Sequence, residues 1–239
     1  MRITREKFKT YKAVFDQHAE RLLFKLSNQG HFLHIESPIS IGKEANIFTA
    51  KRSDGTYCIA KIYRVENCDF RKMYDYLKLD PRYLHLKKNR RHIIFSWTKR
   101  EYQNLLKARD AGVRVPTPYA LKDNIIIMEL IGNQQTGETA QKLKDVMPRN
   151  PIAFYQQLQE QIKKLYHAGI VHGDLSKFNI LNYDESPVII DMSQSTTRES
   201  THAKELLQRD IRNVVSYFKK IGVKTSEEML KKNISKVLQ

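Results

Sequence analysis

Asp174, Asn179 and Asp191 are the residues whose types and spacing say most about chemistry. Asp174 and Asn179 lie five apart within residues 172–182, HGDLSKFNILN, with no helical pattern between them. A run of β-formers, PVIID, follows and ends in Asp191. The set suits phosphoryl transfer. One carboxylate can orient or deprotonate the attacking oxygen, while Asn179 and Asp191 supply hard oxygen ligands for Mg²⁺ on the phosphates. A turn in which Asp174 and Asn179 merely cap backbone groups accounts for the same eleven residues. The rest of the chain has to decide.

Four further stretches bear on that choice. Ile41, Gly42, Lys43, Glu44 and Ala45 form a short loop between two strand-like segments, where backbone N–H groups could approach phosphate oxygens. With one glycine, the signal is weak by itself. Lys61 sits in CIAKIY with apolar neighbours on both sides, and a half-buried ammonium there needs an anionic partner. A solvent-facing strand lysine is the alternative, since the alternation leaves open which face is wet. Glu101, in the first turn of a helix expected from Trp97 to Ala111, is a candidate partner for it. Met128, Glu129, Leu130 and Ile131 end an apolar strand whose backbone could meet a flat heterocycle.

The elements that must position these groups follow from periodicity. Phe8, Tyr11, Val14, Phe15, Ala19, Leu22, Leu23 and Leu26 recur at helical spacing, which predicts an amphipathic helix over 5–28, closed at Gly30. It could pack on the domain or carry a partner. HFLHIES, PISIG, ANIFTAKR and TYCIAKIYR read as successive strands, and ALKDNIIIMELIG as a hairpin. Residues 132–150 read as a link, and a helix opening at Pro151 and ending at Gly169 feeds the acidic loop. Helix-like segments follow at about 202–221 and 226–238.

Charge is the unusual feature of the composition. The 239 residues carry a formal net charge of +16, which implies an anionic partner such as nucleic acid, nucleotide or an acidic membrane surface. Residues 61–100 hold 12 Lys or Arg against four acids, so half the excess lies in about a sixth of the length. Phe70, Tyr74, Tyr76, Tyr83, Phe95 and Trp97 are interleaved there. Cations with rings are what a structured or single-stranded RNA site uses, but a solvated insertion anchored by its aromatics would read the same way. Two cysteines, Cys58 and Cys68, offer neither a disulfide framework nor a metal set. No apolar run reaches membrane-spanning length and no signal-peptide centre is evident, so a soluble, cytoplasmic protein is expected.

The order glycine loop, strand lysine, helix glutamate, connector, HxD followed at five by Asn, then strand and Asp resembles the protein-kinase fold. The departures are specific. One glycine serves the loop, HGD replaces HRD, Ser176 stands where a Lys would follow, DMS replaces DFG, and nothing resembles the APE segment. Together with IGKEANIF, AKIYRVENCDFRKMYDYLKLDPRY, FSWTKREYQNL and HGDLSKFNIL, these departures resemble the RIO family of atypical kinases, most closely its type-one branch.

The resemblance implies an α+β, bilobal protein-kinase-like fold: an N-lobe antiparallel sheet with a helix, a mostly helical C-lobe, and an extra N-terminal helix. A single domain over 1–239 is expected, with that helix in 1–30, an N-lobe in 31–131 carrying a basic insertion at 64–96, and a C-lobe in 132–239. It implies Asp174 as catalytic acid or base, Asn179 and Asp191 as Mg²⁺ ligands (with Mn²⁺ as an alternative ion), and ATP bound between the lobes. Lys61 would contact the α- and β-phosphates with Glu101 as its partner. Ile41, Gly42, Lys43, Glu44 and Ala45 would cover the phosphates, and Glu129 and Ile131 would meet adenine with Met128 behind. It further implies Ser/Thr kinase or ATPase activity in small-ribosomal-subunit maturation, beside pre-ribosomal RNA and protein, with a phospho-aspartate at Asp191. A small-molecule phosphotransferase and a nucleotide-gated RNA-binding scaffold are the competing readings. The sequence leaves the oligomeric state open.

Overall fold

The computed structural model describes residues 15–66 and 68–235. The expected helical positions Phe8, Tyr11 and Val14, and residues 236–238 at the far end, lie outside these. The chain clusters into two compact units. One comprises residues 1–74, 87–102 and 117–139, the other 75–86, 103–116 and 140–239. The stretch 132–139 thus groups with the first unit, although its composition reads as a link.

In the first unit, α1 (Gln17–Asn28) starts where Asp16 accepts a 2.6 Å hydrogen bond from the Ala19 N–H, an N-cap the apolar spacing alone did not locate. Its buried face, Ala19, Leu22, Leu23 and Leu26, joins Phe32, Phe48 and Ile127 in one core. Each such Leu or Phe contributes about 1.5–3 kcal/mol relative to exposure. The strands β1 (His34–Ile41), β2 (Ala45–Lys51), β3 (Tyr57–Tyr63), β4 (Pro118–Lys122) and β5 (Ile125–Glu129) pair antiparallel in the order β1-β2-β3-β5-β4. HFLHIES and PISIG, read as two strands, are one. Register shifts around Pro38, which cannot donate to the ladder, produce the apparent break.

The basic stretch is more helical than expected. It holds α2 (Phe70–Lys78), a 3₁₀ turn at Pro81–Tyr83, and the start of α3 (Arg90–Asp110). Asn89 caps α3 by accepting from the His92 N–H at 3.3 Å, and Ile93 and Ile94 are fully buried, so the helix begins seven residues before Trp97. Two of the unit boundaries, after residues 74 and 102, fall within α2 and α3.

The second unit is mainly helical: α4 (Pro151–His167), α5 (Ala203–Lys220) and α6 (Glu227–Ser235). Phe154 and Phe218 stack with centroids 6.3 Å apart, and the Tyr155 hydroxyl meets Thr225 at 2.6 Å. Short strands complete it: β6 (Gln141–Lys142), β7 (Ile170–Val171), β8 (Ile180–Tyr183), β9 (Ser186–Ile189) and β10 (Thr196–Thr197). They pair as β6-β8-β9 and β10-β7. Among the described residues no helix is long and apolar enough to cross a membrane. Both cysteines are buried and free, and burial pushes the Cys58 thiol up to about 12.

Candidate active site

In the first unit Lys61 lies on β3, where Ala60 and Ile62 are buried on one face and Ile59 and Tyr63 on the other. Neither face is wet. Lys61 itself is 6% exposed and donates to Glu101 Oε1 at 2.7 Å, while the Tyr63 hydroxyl donates to Oε2 at 2.5 Å. Glu101, on α3, is 1% exposed. The pair expected from a strand lysine and a helix glutamate is thus present and desolvated. Breaking one partner of such a pair costs about 3–5 kcal/mol, since the other is left charged and buried.

Residues 41–45 close as a tight turn between β1 and β2. The Gly42 N–H donates to Ala45 O at 3.1 Å, and a Cβ on Gly42 would lie 2.9 Å from that oxygen. A side chain at Gly42 would therefore force this turn to shift. Ile41 and Lys43 are exposed, while Glu44 and Ala45 are partly buried. At the end of β5, Met128 and Ile131 are buried, and the Glu129 carboxylate accepts from the Thr117 N–H (3.0 Å) and hydroxyl (2.8 Å). The Glu129 N–H is bonded to Thr117 O at 2.8 Å.

In the second unit, hairpin β8–β9 does the positioning. Ile180 pairs with Ile189, and the Ile190 N–H donates to Asn179 O at 3.0 Å, so Asn179 and Asp191 emerge side by side from the two strand ends. Asn179 Nδ2 donates to Asp174 O (2.9 Å) and to Asp174 Oδ2 (3.1 Å), so Oδ1 is the Asn179 atom whose chemistry suits a cation. Asp191 takes a left-handed backbone, φ 60 and ψ 70, and its Oδ1 accepts from the Ser193 N–H at 3.4 Å. The structure therefore brings Asp174, Asn179 and Asp191 together.

Burial raises the Asp174 carboxyl above the usual carboxylate range, and the Asp191 charge pushes the same way against His172, Arg209 and the Asn179 bond. Two carboxylates that raise one another's cost of ionisation are a natural seat for a divalent cation. Among the described residues no group of three or more His, Cys, Asp or Glu is placed to hold a metal by itself. Mg²⁺ held through one or two carboxylates plus phosphate oxygens needs no such group, so the donor set fits.

The replacement of Arg by Gly173 in HGD has a local cause. Gly173 has φ 80, and a Cβ there would sit 3.0 Å from Gln194 O. His172 Nδ1 accepts from the Asp174 N–H at 3.2 Å, so Nε2 carries the proton and donates to Ile190 O at 3.1 Å.

Sequence reasoning missed what holds this loop from α5. Asp210 accepts from the N–H groups of Gly173 and Leu175, both at 2.8 Å. Arg209 donates to Gly173 O, and Asn213 to Leu175 O at 3.1 Å. Burial pushes the Asp210 carboxyl up to about 6. The available signal was an acid on the apolar stripe that Leu206, Val214 and Phe218 mark at helical spacing.

The aromatics of the basic stretch are engaged by its own cations. Arg90 lies over Phe70 (4.7 Å), Lys88 over Tyr74 (5.6 Å), Arg82 over Tyr83 (5.7 Å), and Arg100 over the buried Trp97 (4.6 Å). Phe95 stacks on His18. These rings anchor the stretch, and the exposed heads of Lys87, Lys88, Arg90 and Arg91 are the part left to meet an anion.

Comparison with known proteins decides the family. Residues 46–231 match the model of the RIO domain. The chain belongs to the RIO family. It is 38% identical to the RIO-type serine/threonine-protein kinase Rio1 of Haloferax volcanii, over 94% of this chain and 77% of the relative. It is 36% identical to Rio1 of Methanocaldococcus jannaschii, over 96% and 78%. Rio1 is therefore the branch, and the RIO chain is a phosphotransferase with a protein-kinase-like fold. In fold it is similar to the Rio2 kinase of Chaetomium thermophilum, solved as an ADP/Mg²⁺-phosphoaspartate complex, with TM-score 0.69 at 23% identity. That match covers 90% of this chain and 65% of the Rio2 chain, so this RIO chain spans about two thirds of its structural relative.

Proposed function

We propose that this RIO chain is an ATP-dependent atypical serine/threonine kinase and ATPase that works on the maturing small ribosomal subunit in the cytoplasm. The observation that carries the catalytic part is the Asp174–Asn179–Asp191 cluster, in which Asn179 ties down Asp174 while burial, joined by the Asp191 charge, raises its carboxyl. On this reading Lys61, held by Glu101, binds the α- and β-phosphates, residues 41–45 cover them, and Glu129 and Ile131 meet adenine beside Met128. Asn179 and Asp191 would hold Mg²⁺, which would supply charge neutralisation on the phosphates.

Asp174 acts on the acceptor. Its raised carboxyl favours taking a proton from a hydroxyl or from water in the transition state. Asp191, already beside the phosphates as a metal ligand, can itself be the first acceptor. A carboxylate oxygen then bonds to the γ-phosphorus as the bond to the bridging oxygen breaks and ADP departs. Water, with its proton taken by Asp174, subsequently attacks that phosphorus, releasing phosphate and restoring the Asp191 carboxylate. The phosphoaspartate named for the Rio2 relative supports this order.

The ribosomal part rests on the charge excess and on the family. Lys87, Lys88, Arg90 and Arg91 present their cations at the exposed turn before α3 and at its start. They suit the phosphates of a structured RNA, with pre-ribosomal protein as its companion. The test compares released phosphate with phosphate transferred to candidate small-subunit proteins and to the chain itself. Release or transfer that stops in Asp174→Asn while nucleotide still binds supports the assignment. Wild-type rates in that variant would remove it.

A further inference from the structure

Asp191 is held from a direction that the catalytic loop does not explain. Asn104, on α3 and 1% exposed, donates through Nδ2 to Met192 O at 3.0 Å and to Ser195 O at 2.8 Å. It thereby clamps the turn that begins at Asp191. Its Oδ1 accepts from Arg82 Nη1 at 2.9 Å. Arg82 also forks onto Asp80, with Nε at 2.9 Å from Oδ1 and Nη2 at 2.6 Å from Oδ2. Asp80 has no exposed surface, and its Oδ2 also accepts from the Thr196 hydroxyl at 3.3 Å. Ser200 adds a 3.0 Å bond to Leu79 O. Leu79, Asp80 and Arg82 belong to the basic stretch, and all these groups lie within the second unit.

A carboxylate buried this deeply is costly unless fully paired, so the arrangement is specific. Arg82 reaches both Asp80 and Asn104, and its planar fork is what permits this. The backbone at Asp191 is in the left-handed region, which a non-glycine residue holds only when its surroundings over-determine it. Asn104 supplies two of the bonds that do so.

We infer that Arg82 and Asn104 are positioning residues for Asp191, setting the geometry with which it holds Mg²⁺. This rests on the assignment of Asp191 as a metal ligand. Outer partners that orient a metal-binding carboxylate typically account for about 10–100-fold in metal affinity. The basic stretch then has a second role besides its charge, as the source of the turn that aims a catalytic carboxylate.

The test uses the full chain and two readouts: the Mg²⁺ concentration giving half-maximal ATP turnover, and amide hydrogen exchange over residues 191–196. The double variant Asp80→Asn/Arg82→Met removes the link without orphaning a buried charge, and Asn104→Ala removes the clamp directly. Each is expected to raise half-saturating Mg²⁺ by about tenfold, with kcat at saturating Mg²⁺ within about twofold, and to speed exchange over 191–196. Arg82→Lys keeps the charge but not the fork, and should fall between wild type and the double variant. Folded variants with lowered Tm but unmoved Mg²⁺ dependence and exchange would overturn the proposal. Should Asn104→Ala fail to fold, the double variant and Arg82→Lys still decide it. Asp191→Asn separates the two claims. Because Asp191 is also the proposed acceptor, this arm is read by the Mg²⁺ dependence of ADP binding: if that equals wild type, the metal assignment fails, whereas a shifted Asp191→Asn curve beside an unshifted double variant sinks only the positioning role.

Discussion

The Lys61–Glu101 pair and the Asp174–Asn179–Asp191 cluster are both charged groups at desolvated positions, yet their electrostatics are opposite. Lys61 and Glu101 neutralise one another at 2.7 Å, with Tyr63 on the second carboxylate oxygen. Asp174 and Asp191 instead raise the cost of ionising each other, and the hydrogen bond that reaches the Asp174 carboxylate comes from the neutral amide of Asn179. The first arrangement is complete in the protein alone. The second is built to be completed by a cation and its phosphates. Preorganisation thus takes two forms here, a finished anchor and an unfinished one.

Removing the unfinished site's base should have the largest effect. Asp174→Asn is expected to cut turnover by about 10²–10⁴-fold with nucleotide affinity nearly unchanged, checked by steady-state kinetics against direct binding. A loss of binding equal to the loss of turnover would erase the contrast between anchor and reaction centre.

Next comes the anchor itself. Glu101→Ala should lower stability by about 3–5 kcal/mol, since Lys61 is left buried and without its carboxylate. The double variant Lys61→Met/Glu101→Leu should recover most of that stability in denaturant unfolding while remaining inactive. An active double variant would show that the pair serves packing alone.

Much of this anchor was legible in the sequence because a lysine flanked by apolar residues demands an acid, and Glu101 was a helix-borne acid within reach. The strand that leads into Asp191 was legible from the β-formers of PVIID, whereas its hairpin partner, Ile180–Tyr183, was not read. Other parts were hidden for physical reasons. The cations at 87–91 obscured the apolar face of α3, whose first buried residues are Ile93 and Ile94. Pro38 split one strand into two apparent ones. Asp210 stabilises the site through backbone bonds that span long sequence separations, and Asp80 does so through Arg82 and a distant threonine; no local spacing encodes such links.

A smaller effect separates the two kinds of site by titration. In the nucleotide-free protein the Asp174 carboxyl should titrate above the ordinary carboxylate range, because burial and Asp191 both favour its protonated form. Mg²⁺ with ADP brings positive charge that favours the ionised form, so the titration should move to lower pH, measured by carboxyl carbon NMR. Stability follows a related sign for Asp210. Its folded value of about 6 lies above the unfolded one, so its contribution is full below about pH 4 and is lost as pH rises through 6.

The smallest expected change concerns the basic stretch. Reversing Lys87, Lys88, Arg90 and Arg91 to Glu should weaken RNA binding and flatten its dependence on salt, by about 0.7 in log–log slope for each single-strand phosphate no longer neutralised. Arg90 and Lys88 already lie over Phe70 and Tyr74, so fewer than four phosphates should be affected. An unchanged slope would assign these cations wholly to anchoring their own rings.

The most direct test of the account is to trap the phosphorylated chain during a single turnover of γ-labelled ATP and map the label by borohydride reduction and mass spectrometry. The account predicts an acyl phosphate on Asp191, sensitive to hydroxylamine, absent in Asp191→Asn and accumulating in Asp174→Asn, where the water that discharges it lacks its base. Label found only on serine or threonine hydroxyls, with no carboxylate adduct and wild-type phosphate release in Asp174→Asn, would contradict it.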